Sequence, residues 1–179
     1  MIEKELKPLK MERARFKTEI KQVSPNELGQ DSVVFTISTN SGSKFGSLMK
    51  IASGGELSRF LLALKVCLSD DQKGISMVFD EIDRGVGGAT ADAVGRRLLK
   101  LAKKDAQVLV VTHSPQVAAL AERHFVVSKV IEDKDTLSSV NQIKGEDCVE
   151  EIARMISGDR ITDEAREASR VLISGASTG

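Results

Sequence analysis

The sequence lacks long apolar runs, a cysteine framework and a net charge, and each absence excludes a class of protein. Its longest apolar stretches, residues 60–68 and 108–111, are far shorter than the roughly 18–20 residues of a membrane span, so membrane insertion is excluded. Cys67 and Cys148 are far apart, with no Cys or His at metal-ligand spacing, so two buried thiols are expected rather than a disulfide or a zinc site. The 26 basic and 26 acidic side chains cancel, which argues against a free-standing nucleic-acid binder because phosphate binding requires clustered Lys and Arg.

What is present predicts one ordinary soluble domain or a large lobe of one. A chain of 179 residues with 41% hydrophobic content can bury roughly 70% of the surface that its unfolded form exposes. That is enough for a stable core without a structural disulfide or metal ion. The first residues, Met1 to Glu5, carry charges where a secretory signal would have an apolar run. We therefore expect a cytosolic protein.

Hydrophobic periodicity predicts an antiparallel hairpin followed by helices that alternate with strands. Pro8 argues against a long helix before the hairpin. Apolar alternation around residues 16–20 and 33–37 predicts the two hairpin strands, and the turn residues from Ser24 to Gly29 predict a long loop between them. Strands that alternate with helices predict a mostly parallel sheet flanked by helices, an α/β fold. The spacing predicts strands at 75–79, 108–111, 125–131 and 137–143, and helices at 57–68, 89–101, 115–121, 149–156 and 162–172, the last capped by Thr162.

The first informative motif is Ser53-Gly54-Gly55-Glu56-Leu57-Ser58-Arg59, at the start of a predicted helix. Unpaired amides and the positive end of the helix dipole lie there, and glycines let a phosphate approach the backbone, so Ser53 to Glu56 could form a phosphate cradle. Ser53 and Glu56 also have the spacing of a capping box, in which both side chains satisfy the helix's own amides and no ligand is needed. The motif alone leaves both interpretations open.

The second motif is the apolar strand at 75–79 followed by Asp80 and Glu81, with Asp83 close behind. Ligands of open parallel sheets bind beyond the carboxyl ends of the strands, where these carboxylates lie. Since neighbouring strand residues point to opposite faces, one carboxylate could hold Mg²⁺ while the other deprotonates a water for attack on a phosphoryl group. An acidic turn that only closes a strand is the alternative.

The third motif, Thr112-His113-Ser114-Pro115, again follows a buried strand. His113 could hydrogen-bond a γ-phosphate or the attacking water, or it could be only a turn residue. Between the second and third motifs, the loop 83–88 is rich in glycine, which suits a tight turn or the close approach of another chain.

In their order along the chain, these motifs resemble those of ABC-type ATPases. The first resembles the signature motif, Asp80-Glu81 the end of Walker B, the loop from Asp83 the D-loop, and His113 the switch histidine. The resemblance spans roughly residues 14–173 and is carried by several motifs in one order. The chain closely resembles the RecN family of SMC-like bacterial DNA-repair ATPases through the strings Ile51-Ala52-Ser53-Gly54-Gly55-Glu56-Leu57-Ser58-Arg59, Phe79-Asp80-Glu81-Ile82-Asp83 and Val111-Thr112-His113-Ser114-Pro115-Gln116-Val117-Ala118.

The resemblance implies ATP sites shared between two heads, with each ATP and its Mg²⁺ held by one head and covered by the signature motif of the other. For the chain's own site it implies Asp80 in the Mg²⁺ shell, Glu81 as general base and His113 as γ-phosphate sensor. It also implies that Arg59 orients the signature helix. The resemblance also implies that the γ-phosphate of the ATP bound to the second head is contacted by Ser53, Gly54, Gly55 and Glu56. It implies that the dimer interface includes Asp83 and residues 85–88.

One departure from the family bears on activity. No Gly-x-x-x-x-Gly-Lys-Ser/Thr occurs in the sequence, so the loop that holds the β- and γ-phosphates is missing. We expect a C-terminal lobe at residues 14–174, preceded by a basic segment at 1–13 that could be a coiled-coil remnant and followed by a frayed tail at 175–179. Its expected partners are the N-terminal Walker A lobe of the same protein and a second head in a homodimer. Alone, the chain is expected to fold, expose an apolar face, bind ATP weakly and not turn it over.

The resemblance also implies a role in DNA double-strand break repair and recombination, and hence a cytoplasmic, nucleoid-associated protein. Two other functions stay open. One is a phosphoesterase in which Asp80, Glu81 and Asp83 bind Mg²⁺ or Mn²⁺, and the other is a non-enzymatic module for dimerisation or partner binding. Direct DNA contact could come from the basic N-terminal stretch or from Arg96, Arg97, Lys100, Lys103 and Lys104, and a solvated helix face is the favoured alternative for both.

Overall fold

The computed structural model describes residues 2–48, 54–68, 74–103, 106–132 and 135–176. The chain forms two compact units, Met1–Val111 and Thr112–Gly179. In neither unit does a described helix have the length and apolar character needed to cross a membrane.

The first unit begins with a short helix and an antiparallel sheet. Helix α1 (Ile2–Leu6) ends before Pro8, in agreement with the sequence prediction. Strands β1 (Arg15–Asn26), β2 (Gly29–Ser38) and β3 (Gly46–Ser47) pair antiparallel in that order. The predicted hairpin is confirmed, but the predicted long loop is wrong, because Asn26 pairs directly with Gly29.

Ser24, Pro25 and Asn26, which suggested a long loop, lie inside β1. The pairing register shifts between Gln22 and Asn26, so Pro25, which has no N–H to donate, lies where the ladder is irregular. The side-chain oxygen of Asn26 accepts a hydrogen bond from the Leu28 N–H at 2.8 Å and closes a tight turn. Gly29 follows with a φ of +114°, which favours glycine.

A helix, a strand, a second helix and a second strand complete the first unit. They are α2 (Gly54–Leu68), β4 (Ser76–Asp80), α3 (Gly88–Ala102) and β5 (Gln107–Val111), all close to their predicted bounds. Strands β4 and β5 pair in parallel, so their carboxyl ends lie side by side. The parallel pair, its helices and the N-terminal hairpin agree with the predicted α/β class. The core includes apolar side chains of α1, α2 and α3 that have no exposed surface, among them Leu6, Phe60, Leu62, Val94 and Leu101.

One face of the β4–β5 sheet is apolar and open. Met77 and Phe79 are buried, with 8% and 6% of their surface exposed. Because alternate strand residues point to opposite faces, Val78, Leu109 and Val111 lie together on the other side of the sheet, where they are 64%, 48% and 52% exposed. An exposed apolar face agrees with the expectation for a lobe without its Walker A mate.

The second unit contains a short helix, a strand pair and two longer helices. The strand predicted at 125–131 is present, but its described partner is the next strand along the chain, in an antiparallel ladder. Only two residues separate these strands, and so short a connection can join antiparallel neighbours but not parallel ones. The elements are α4 (Pro115–Ala118), β6 (His124–Glu132), β7 (Asp135–Ile143), α5 (Glu146–Ser157) and α6 (Asp163–Ala176).

Helices α5 and α6 are joined by polar contacts. Thr162 caps α6 as predicted, since its Oγ1 accepts a hydrogen bond from the Ala165 N–H at 3.2 Å. Arg166 of α6 donates to Glu150 of α5 at 2.6 Å, and this hydrogen bond holds the pKa of the Glu150 carboxyl below its ordinary value. Within the expected tail at 175–179, α6 continues to Ala176 and residues 177–179 lie outside the described part of the chain.

The two cysteines are half-buried, and not fully buried as expected. Cys67 lies on α2 and Cys148 on α5. Burial raises the pKa of the Cys148 thiol, and the neighbouring Asp147 carboxylate adds to that rise. A raised thiol pKa lowers the thiolate fraction at neutral pH, so Cys148 has the character of a structural rather than a reactive cysteine.

Candidate functional site

Glu81 leaves the β4–β5 sheet in a backbone conformation that is rare for residues other than glycine. Its φ is +47°, in the left-handed region, where the Cβ crowds the backbone at a cost of about 1–2 kcal/mol. Its N–H donates to the Val111 carbonyl at 3.0 Å, and its carbonyl accepts from the Arg84 N–H at 3.0 Å. Both backbone groups are therefore held, and the strained residue lies at the carboxyl edge of the parallel strands, where strain often marks a functional position.

Asp80, the last residue of β4, is exposed, and it lies on the same face of the strand as Val78. Asp83 is 6% exposed, so these two carboxylates have opposite environments. Across the described ranges, no three His, Cys, Asp or Glu side chains are grouped to hold a metal ion. Asp80 fits as a single oxygen ligand of Mg²⁺, whose shell is commonly completed by waters and substrate phosphates.

The side chain of Glu81 forms an ion pair with Arg84, a residue that the sequence reasoning missed. Arg84 Nη1 lies 3.3 Å from Glu81 Oε2. The two side chains are 81% and 43% exposed, so solvent screens the pair. Pairs as exposed as this one contribute roughly 0–1 kcal/mol. The spacing of a basic residue three positions after a carboxylate is present in the sequence, but the contact between the two side chains depends on the turn, which the sequence does not reveal.

The loop between Glu81 and α3 is anchored at one end and exposed at the other. Ile82 is 4% exposed and packs beside the buried Asp83, whose carbonyl accepts a hydrogen bond from the Val86 N–H at 3.1 Å. Gly85 and Gly88 are exposed and have φ values of +75° and +52°, which favour glycine. The exposed glycines, and not the buried Asp83 side chain, form the outer surface of the predicted D-loop.

The predicted signature motif begins helix α2. Gly54, Gly55 and Glu56 form its first turn, whereas Ser53 lies outside the described residues, so the proposed capping box is untested. A Cβ built on Gly54 would meet no described atom within 4 Å, so its backbone is open to approach. An open glycine at the positive end of a helix dipole fits an incoming phosphate.

Arg59, one turn further along α2, is partly buried. Its Nε has no hydrogen-bond partner among the residues that the structure describes. Burial lowers the pKa of the Arg59 guanidinium, and the Glu56 carboxylate offsets part of that decrease. The role of Arg59 in orienting the predicted signature helix stays a prediction.

Helix α2 is connected to β4, the strand that carries the carboxylates. Lys65 Nζ lies 4.8 Å from the centroid of the Phe79 ring, a cation–π contact. Phe60, on the same helix, has no exposed surface and its ring centroid lies 5.3 Å from that of Phe16 in β1. Helix α2 therefore contacts both the hairpin and β4, the strand that ends at Asp80. No pattern in the sequence pointed to Lys65.

The predicted switch-histidine motif, Thr112 to Pro115, lies in the second unit. The Thr112 hydroxyl oxygen accepts a hydrogen bond from the Ser114 N–H at 3.0 Å, and the Ser114 hydroxyl pairs with Gln116 at 2.9 Å. These contacts hold the residues that precede and begin α4. His113 is exposed, directly before Ser114.

The chain is similar to DNA repair protein RecN over nearly its whole length. RecN of Rickettsia prowazekii is 47% identical over 173 residues, which cover 96% of this chain and 31% of that protein. RecN of Bacillus subtilis is 40% identical over 191 residues, which cover 98% of this chain and 33% of that protein. The chain thus spans about a third of the length of the curated relatives it matches. No family model matches. The resemblance expected from the motifs is confirmed.

Among solved structures, the chain is similar to the Smc head domain with a coiled coil and joint from Pyrococcus yayanosii. The TM-score is 0.64, and the match covers 84% of this chain and 27% of that chain. At 18% sequence identity this likeness is one of fold alone. The predicted α/β class of an SMC-type head lobe is confirmed.

Proposed function

Since the chain is RecN-like along almost its whole length, we propose that it is the C-terminal lobe of an ABC/SMC-type ATPase head. The observation that carries the proposal is the strained Glu81 at the carboxyl edge of the β4–β5 sheet, directly after the exposed Asp80. In the intact head ATP supplies the phosphoryl group and Mg²⁺ offsets its charge.

The chain's own residues have separate tasks in this proposal. Asp80 holds the Mg²⁺ shell, directly or through water, because an exposed carboxylate at the end of a strand can reach it without desolvation. Glu81 orients and deprotonates the attacking water, and its exposed side chain lets that water approach. His113 donates a hydrogen bond to the γ-phosphate from the turn after β5.

The signature motif acts on the nucleotide of a second head. The open backbone of Gly54 and the N-terminus of α2 receive the γ-phosphate, together with Ser53, Gly55 and Glu56. The glycine surface of the loop after Asp83 meets the second head at the dimer interface. The complete assembly is thus a homodimer of heads.

A Walker A lobe is the partner that completes each head. This chain has no Walker A sequence and spans about a third of its RecN relatives. The exposed apolar face of the β4–β5 sheet, formed by Val78, Leu109 and Val111, is a surface for that lobe to cover. The isolated chain therefore does not turn over ATP.

The proposed biological role is DNA double-strand break repair and recombination, in the cytoplasm at the nucleoid. The relatives bear the name DNA repair protein. Of the basic candidates, Arg97 lies 3.3 Å from Glu5 and Arg96 lies 2.9 Å from Asp92, so carboxylates already offset their charges. With Lys10, these arginines line an open depression of about 450 Å³. Lys104 lies outside the described residues. We assign DNA binding to the intact protein.

The test is ATP hydrolysis by this chain mixed with a separately expressed Walker A lobe, with and without DNA. Turnover should need both lobes, and Glu81→Gln should lower it about 10²- to 10⁴-fold, the usual contribution of a general base. The matched control is Glu122→Gln, at an exposed glutamate outside the site. Full turnover by the Glu81→Gln complex would contradict the role of Glu81 as general base. No turnover in a mixture that forms a stable complex would contradict the proposal and favour a non-enzymatic module. Phosphoesterase activity of the chain alone, lost in Asp80→Ala, would instead favour a metal-dependent phosphoesterase.

A further inference from the structure

We propose that Arg84 restrains the general base until two heads engage, so that the Glu81–Arg84 ion pair couples head dimerisation to hydrolysis. The inference rests on the proposed function of Glu81. It begins from a contact that the motifs do not contain: Arg84 Nη1 lies 3.3 Å from Glu81 Oε2. A water that is to be deprotonated by this carboxylate must hydrogen-bond one of its two oxygens, and Arg84 competes with the water for Oε2.

The backbone explains why the pair forms. Glu81 is held by hydrogen bonds at both its N–H and its carbonyl, and the carbonyl bond comes from the Arg84 N–H itself. The resulting turn places the Arg84 side chain beside the Glu81 carboxylate. The pair is thus a product of the same left-handed turn that carries Glu81 out of the sheet.

The pair is also easily broken. Arg84 is 81% exposed, and an ion pair in contact with solvent is weak. Arg84 precedes Gly85, at the beginning of the exposed glycine surface that the proposed function assigns to the dimer interface. A second head that contacts this loop can draw Arg84 away and leave the Glu81 oxygen available to water. Breaking the pair then makes the free energy of head dimerisation less favourable and leaves the activation free energy of hydrolysis unchanged.

The test uses the complex of this chain with the Walker A lobe, with ATP turnover measured as a function of head concentration. Arg84→Ala should lower the half-saturating head concentration by about 1.5- to 5-fold, the range that corresponds to an exposed ion pair, and should leave kcat at saturation unchanged. Arg84→Lys should restore part of the difference, because a lysine keeps the charge. The matched control is Arg154→Ala, which removes another exposed pair of the same spacing, with Glu151.

A second readout needs no nucleotide. In urea unfolding of this chain, Arg84→Ala and Glu81→Gln should have nonadditive effects on the midpoint, as expected for residues in contact. Additive midpoints, an unchanged half-saturating concentration or a fall in kcat with Arg84→Ala would overturn the inference. Those results would leave the proposed function standing, provided that Glu81→Gln abolishes turnover. If Glu81→Gln has no effect, the proposed function fails and this inference falls with it.

Discussion

The left-handed backbone at Glu81 predicts that glycine is more stable than alanine at this position. Glycine at this position has no Cβ to crowd the backbone, whereas alanine keeps one. Both substitutions remove the carboxylate and the ion pair with Arg84, so the difference between them reports the backbone alone. Glu81→Gly should therefore be more stable than Glu81→Ala.

The expected size follows from two opposing terms. Relief of the left-handed conformation contributes about 1–2 kcal/mol in favour of glycine, and the greater freedom of glycine in the unfolded chain offsets about 0.4–1 kcal/mol. The net advantage is then on the order of 0.5–1 kcal/mol. Arg96, in the middle of α3, gives the opposite sign, because glycine in a helix is about 1 kcal/mol less favourable than alanine. Both Arg96 variants lose the pair with Asp92, so that contact cancels as well.

The assay is urea unfolding followed by far-ultraviolet circular dichroism, since the chain has no Trp or Tyr to serve as a fluorescent probe. The free energy of unfolding should rise from alanine to glycine at position 81 and fall from alanine to glycine at position 96. A Glu81→Gly variant that is no more stable than Glu81→Ala would refute the assignment of strain to this residue.

Other predictions concern packing, capping and pH. Phe60→Ala should destabilise the protein by about 3–5 kcal/mol because Phe60 is fully buried, whereas Phe45→Ala should change the thermal midpoint little because Phe45 is 47% exposed. Thr162→Ala should weaken α6 by about 1 kcal/mol, seen as faster amide hydrogen exchange in its first turn. Arg166 lowers the pKa of Glu150, so their contact stabilises the fold above the ordinary glutamate pKa of about 4.3 and is lost as the pH falls through the lowered value. In acid titrations of stability, Arg166→Gln should therefore lose less stability than the wild type over that range.

The helices and strands were predictable because the hydrophobic periodicity and the residues that begin or end each element agree with the structure along most of the chain. Helices α2 and α3 and strands β4 and β5 lie close to their predicted bounds. The hairpin loop was wrong because Pro25 and Asn26, residues typical of turns, are accommodated in an irregular end of β1. The antiparallel pairing of β6 with β7 was missed because the alternation of strands and helices earlier in the chain was extended to two strands that follow each other with no helix between them.

The candidate site was predictable in its residues and not in its geometry. An apolar strand followed by Asp80 and Glu81 was enough to place two carboxylates at a sheet edge. The positive φ of Glu81 depends on hydrogen bonds to Val111 and Arg84 that the sequence does not reveal. The burial of Asp83 likewise depends on how the loop packs.

The most direct test of the central claim is whether this chain binds a Walker A lobe through the open β4–β5 face. Sedimentation velocity of the chain mixed with a separately expressed Walker A lobe should give a one-to-one complex. Val78→Asp should abolish that complex, whereas Val171→Asp should leave it intact, because the two valines are similarly exposed, 64% and 61%, but only Val78 lies on this face. Circular dichroism of each variant checks that it folds. A complex that forms equally well with Val78→Asp, or no complex with the wild-type chain, would contradict the account.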